Sequence, residues 1–176
     1  MVNGKLYIEG VTMDRKEREL RSHRCCFTGH RPQNIKRSPE AIKADLEKSI
    51  RAAISDGFTT FITGMASGVD IWAGEIVVRL KEKNPYLKLI AAVPFVGSED
   101  YWPETWKARY RNLIGQADFV KYICSSYRED AYQQRNQWMV DMSSRVIAVF
   151  NGKPSGTMYT IQYAKGQKIP VEYLAG

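Results

Sequence analysis

Cysteine is scarce in this chain, with 3 among 176 residues. Cys25 and Cys26 are adjacent and Cys124 stands alone, so they offer no metal-ligand spacing and no metal site is expected. Neighbours on a strand face opposite sides, and free cysteines are usually small buried hydrophobes. Long apolar runs are also missing; none approaches the roughly 20 residues a membrane helix needs. The first ten residues lack a basic region followed by an apolar stretch, so no signal peptide is expected and the cytoplasm is the expected compartment. There is no internal repeat, no low-complexity stretch and no block of like charge.

What is present is ordinary for a soluble domain: 44% hydrophobic and 26% charged residues. The length suits one domain with a tail. The formal charge of +7 favours anionic partners such as nucleotides, phosphates or nucleic acid. Residues 1–23 read as a charged extension, mobile or docked on the surface, with a short strand or hairpin at Lys5 to Ile8. Residues 24–176 read as the main domain.

Strand and helix patterns alternate from Arg24 onward. Strands are expected at Arg24–Thr28, Thr59–Thr63, Leu87–Val93, Phe119–Ile123, Arg145–Phe150 and Ile169–Tyr173. Pro170 puts the last at an edge. Helices are expected at Pro39–Ser55, Val69–Lys83, Thr105–Ala117, Ala131–Ser143 and Gly156–Lys165. Ile42, Leu46, Ile50 and Ala53 recur at helical spacing. Ser38 would cap that helix, Pro39 suits its first position and Gly57 would end it. The alternation predicts an α/β fold, a mostly parallel sheet with helices on both faces. Such sheets bind ligands beyond the C-terminal ends of their strands.

The strand exits are therefore the places to look. The first reads Thr28-Gly29-His30-Arg31-Pro32. Arg31 could pair with phosphate; His30 could donate to it, stack on a base, or act as an acid or base. A solvent-facing turn would read the same way. The second is Gly64-Met65-Ala66-Ser67-Gly68-Val69-Asp70, a small-residue turn running into a helix N-terminus, where unpaired N–H groups and the dipole attract anions. Asp70 either holds the loop or accepts ribose hydroxyls or protons. At the third, Pro94-Phe95 with Tyr101 and Trp102, the aromatics either flank a base or pack. Arg135-Asn136 are neighbours on a helix otherwise lined with polar residues and Trp138, and they either meet the ligand or are simply exposed. Asn151-Gly152-Lys153-Pro154-Ser155-Gly156-Thr157 is a second candidate phosphate cradle.

Phe27-Thr28-Gly29-His30-Arg31-Pro32, Ile62 through Asp70, Arg135-Asn136 and Ser155-Gly156-Thr157, in that order, resemble the YpsA-like family of the SLOG superfamily. That superfamily also holds the DprA proteins and the Lonely Guy hydrolases. The resemblance spans about Arg24 to Leu174 and implies a Rossmann-like three-layer fold. It also implies a nucleotide-derived ligand of the NAD or ADP-ribose kind and a sensor or regulator. Thr28, Gly29, His30, Arg31, Gly64, Met65, Ala66, Gly68, Asp70, Arg135, Asn136, Ser155, Gly156 and Thr157 would form the ligand site. An alternative is an enzyme cleaving an N-glycosidic or phosphoester bond, with His30 and Asp70 as acid–base candidates. Lonely Guy hydrolases carry a catalytic Glu where this chain has Thr160, which argues against that route. The third alternative is a DprA-like single-stranded DNA binder, which needs a stacking platform and a basic groove. No membrane partner is expected, and exposed apolar helix faces would suit a homodimer.

Overall fold

The computed structural model describes residues 6–8, 11–13 and 15–176. Strands β1 (Leu6–Ile8) and β2 (Val11–Met13) pair antiparallel; Lys5 and Asp14 lie outside the described residues. Helix α1 (Arg15–Ser22) follows. It is docked on the main body: Arg21 Nε donates to the Ser143 carbonyl at 3.0 Å, Ser144 Oγ donates to the Ser22 carbonyl at 3.0 Å, and Glu17 pairs with Arg24.

Six parallel strands form the main sheet. In chain order they and their helices are β3 (Arg24–Gly29), α2 (Pro39–Ser55), β4 (Thr60–Thr63), α3 (Val69–Lys81), β5 (Lys88–Val93), α4 (Glu104–Gln116), β6 (Phe119–Tyr122), α5 (Ala131–Asp141), β7 (Arg145–Phe150), α6 (Gly156–Gly166) and β8 (Val171–Ala175). The spatial order is β6-β5-β4-β3-β7-β8. The chain winds outward from β3 through β6, then restarts on the other side of β3 with β7. The switch point therefore lies between β3 and β7, where doubly wound sheets open a crevice for ligands.

Period-two alternation divides the core. Cys25, Phe27, Phe61, Leu89 and Ile147 face α2, α3 and α4. Cys26, Ile62, Ala92, Val146 and Ala148 face α5 and α6. This is the expected three-layer Rossmann-like fold. Both adjacent thiols are fully buried, and burial pushes the Cys26 pKa up to about 12.

Local signals set the element ends. Ser38 accepts from the Ala41 N–H at 3.2 Å, Pro39 opens α2, and Gly57 follows it at φ +95. Helix α3 stops two residues before the expected Lys83, because Lys83 N donates to the Leu80 carbonyl in a closing turn. The last strand begins at Val171 rather than Ile169, because Ile169 N donates back to the Ala164 carbonyl and closes α6. Pro170 lends only its carbonyl, to Val146 N at 2.9 Å, so β8 is an edge strand as expected.

Candidate functional site

A cavity of about 260 Å³ opens beyond the C-terminal ends of β3 and β7, at the switch point. His30, Gln33, Asn34, Lys36, Asn151, Lys153 and Ser155 are among its lining residues. Two strand exits therefore converge on one polar pocket bearing two lysines. His30 is 4% exposed and stacks on Phe150, ring centroids 5.5 Å apart. Its Nε2 is buried without a hydrogen-bond partner, and burial lowers its pKa below the usual 6.5, so the ring is neutral near neutral pH. Asn151 Nδ2 donates to the Asn34 carbonyl at 2.8 Å and ties the two loops together.

Ser155 caps α6, its hydroxyl accepting from Met158 N at 3.3 Å. A Cβ at Gly156 would meet nothing within 4 Å, so this helix start is open to an approaching group. Thr157 is buried just behind it. Thr160, also buried, donates its hydroxyl to the Gly156 carbonyl at 2.9 Å. The position that carries Glu in the Lonely Guy pattern is occupied by a hydroxyl turned into its own helix.

The turn after β4 builds the second half of the site. Thr63 Oγ1 donates to the Asp70 carbonyl at 2.7 Å and accepts from Met65 N at 3.3 Å. Met65 sits at φ 61 and is buried. Asp70 Oδ2 accepts from Ala66 N at 3.3 Å, so the carboxylate closes the turn across the helix start. Glycines serve tight packing here. A Cβ at Gly64 would lie 2.5 Å from Arg135 Nη1, one at Gly29 would lie 2.5 Å from Val69, and one at Gly68, already at φ +95, would lie 2.8 Å from Pro32.

Arg135 comes to the same turn from α5. It is 5% exposed, against the polar surface that the helix's composition suggests. Ala131, Arg135 and Met139 are all buried at four-residue spacing, so the arginine occupies the inward stripe. Its Nε donates to Asn136 Oδ1 at 2.8 Å, and Nη1 stands 4.0 Å from Asp70. Burial raises the Asp70 pKa, opposed by Arg135, the Ala66 N–H and Arg31. Burial also lowers that of Arg135, opposed by Asp70.

Arg31 donates to Ser67 Oγ at 3.3 Å and lies over Trp102, 5.7 Å from the ring centre. Trp102 packs edge-on against Tyr110, and Phe95 against Tyr127 and Tyr132. Most of these aromatics pack, while Tyr101 projects fully into solvent. Thr28 is buried near the end of β3. The fourteen expected residues thus fall into a His30–Ser155 group and a Gly64–Asp70–Arg135–Arg31 group, both at strand exits. Gln33, Asn34 and Lys36 joined the first group unforeseen, because nothing in their spacing marks the short 3-10 turn that carries them. A second cavity, about 650 Å³, lies near the strands' N-terminal ends, lined in part by Arg24, Lys88 and Phe119, away from these loops.

The YpsA family model, described as the YspA SLOG family, matches residues 25–174. A UPF0398 protein of Halalkalibacterium halodurans is 32% identical over 127 residues, covering 70% of this chain and 67% of that protein. One from Bacillus pumilus is 31% identical over 137 residues, covering 76% and 74%. Among solved structures, DNA processing protein A from Streptococcus pneumoniae superposes with TM-score 0.64 at 19% identity, over 89% of this chain and 52% of that one. This chain thus spans about half of that protein. The Helicobacter pylori protein, described in its single-stranded DNA binding mode, gives 0.63 at 19% identity over 93% and 69%. The molybdenum cofactor carrier protein of Chlamydomonas reinhardtii gives 0.52 at 18% over 87% and 76%. At these identities the structures share the fold.

Proposed function

Since this chain belongs to the YpsA SLOG family, we propose that it binds a nucleotide or nucleotide derivative of the NAD or ADP-ribose kind and acts as a sensor or regulator. The observation that carries this reading is Arg135. A buried guanidinium is costly unless an anion compensates it. Here Asp70 stands 4.0 Å off and is also under the influence of Arg31, so two cations share one carboxylate. A phosphate beside the turn after β4 would complete the balance, and the open α6 start offers a second anion position beside His30. Asp70 holds the turn, which suits binding better than proton transfer. A thermal-shift screen of NAD, ADP-ribose and AMP tests the reading. No response at saturating concentrations would contradict it.

A second reading, single-stranded nucleic acid, draws support from Tyr101 and Tyr127, 101% and 66% exposed on the exits of β5 and β6. Exposed rings at a strand-exit rim can stack successive bases. The Helicobacter pylori neighbour's single-stranded DNA binding is in keeping with it. Salt-sensitive binding of a labelled oligonucleotide, lost in Tyr101→Ala, would favour this reading.

A further inference from the structure

We propose that the free edge of β6 is a self-association surface, on which two copies of the chain pair β6 antiparallel about Val120 and continue one sheet across a two-fold axis. The proposal is independent of the ligand reading. Strand β6 ends the sheet, and among the described residues its outer edge has no strand neighbour. Such an edge is a template for another strand. This one also carries exposed apolar groups, Phe119 at 68% and Tyr122 at 44%, a composition that marks interaction surfaces.

The register follows from hydrogen-bond direction and charge. Lys88 N donates to the Thr59 carbonyl and Ile123 N to the Val93 carbonyl, each at 2.9 Å, so Leu89, Ala91 and Val93 turn their polar groups to β6. Backbone polar groups alternate sides along a strand, so Phe119 and Lys121, in phase with Ile123, bond to β5 and Val120 turns its N–H and C=O outward. Phe119 stands beside Ile90 and Lys121 beside Ala92 in the ladder, which puts both side chains on the α5 face. Antiparallel pairing centred on Val120 exchanges the outward N–H and C=O groups of the two Val120 residues and sets each Phe119 opposite the partner's Lys121, on the same face, in the closer non-hydrogen-bonded position. An ammonium over a phenyl ring is attractive. Centring on Lys121 would instead oppose two ammonium groups. Asp118 is already engaged by Lys81 at 2.5 Å and by Leu89 N at 2.8 Å, so it does not compete for Lys121. The 650 Å³ groove is walled by the same Phe119 and Lys121, together with Leu20, Trp138 and Met142. The groove runs up to the edge and gives the paired rings an apolar bed.

Sedimentation velocity on the full chain tests this, with circular dichroism to check each variant's fold. The expected result is a dimer. Phe119→Lys opposes like charges and should give a monomer, whereas Phe119→Glu faces the partner's Lys121 and should remain dimeric. Val120→Pro removes an outward N–H without removing a β5 ladder bond and should also dissociate the pair. A wild-type species other than a dimer overturns the proposal. So does a dimer that survives Phe119→Lys and Val120→Pro, or one that Phe119→Glu disrupts as fully as Phe119→Lys.

Discussion

Asp70 and Arg135 are buried side by side, 4.0 Å apart, against Gly64. The contact joins the start of α3 to α5 across the end of the sheet. It explains why position 64 is glycine, since a Cβ there would displace both charged groups.

Removing Arg135 takes away the largest compensation of the buried Asp70 carboxylate and leaves it the Ala66 N–H and the weaker influence of Arg31. Arg135→Met is expected to cost about 3–5 kcal/mol in urea unfolding. Adding Asp70→Asn in that background should recover part of the loss. A single-variant cost well below 1 kcal/mol would mean that Arg135 does not compensate Asp70.

The glycines separate fold from site. Gly68→Ala meets Pro32 at a left-handed backbone position and should destabilise the domain by about 1–3 kcal/mol. Gly156→Glu meets open space, and a carboxylate in the first turn complements the helix dipole. That variant should melt near the wild-type temperature yet repel an anionic ligand. Chemical denaturation of both distinguishes the two roles.

His30 gives a pH signature. Its folded pKa is lowered below 6.5 by burial, so the unfolded chain binds more protons. The stability that neutral His30 contributes is therefore fully present above 6.5. It is lost as pH falls from 6.5 through the folded value. Between those limits wild-type stability should drop more steeply than that of His30→Gln. An anion bound beside the ring reverses the bias, so ligand binding just below neutrality should take up a proton, measurable by calorimetry in buffers of different ionisation heat.

No release of base from AMP is expected, because Thr160 is bonded to the Gly156 carbonyl and no carboxylate occupies that position. Chromatography after incubation decides it. Free base at an enzymatic rate, lost again in His30→Ala, would make the protein a hydrolase acting through the first loop.

The layer pattern was legible because each strand's burial follows its own alternation, as Cys25 and Cys26 show by entering opposite core layers. The exit loops were legible because a strand followed by small residues and a helix start has few other uses. The burial of Arg135 was not. A four-residue stripe of Ala131, Arg135 and Met139 contains the signal, but it reads as apolar only once the partner carboxylate on α3 is known. The gathering of Gln33, Asn34 and Lys36 against Ser155 depends on β7 returning beside β3, a long-range pairing with no local mark.

The most direct test of the central claim is isothermal titration of ADP-ribose and NAD into the wild-type chain and into folded Gly156→Glu. Binding to the native state would raise stability by about 2.7 kcal/mol at a hundredfold excess over Kd, so calorimetry and melting should agree. The account predicts saturable binding of at least one of these nucleotides to the wild type and none to the variant. Absence of binding to the wild type, or equal affinity in the variant, would contradict it.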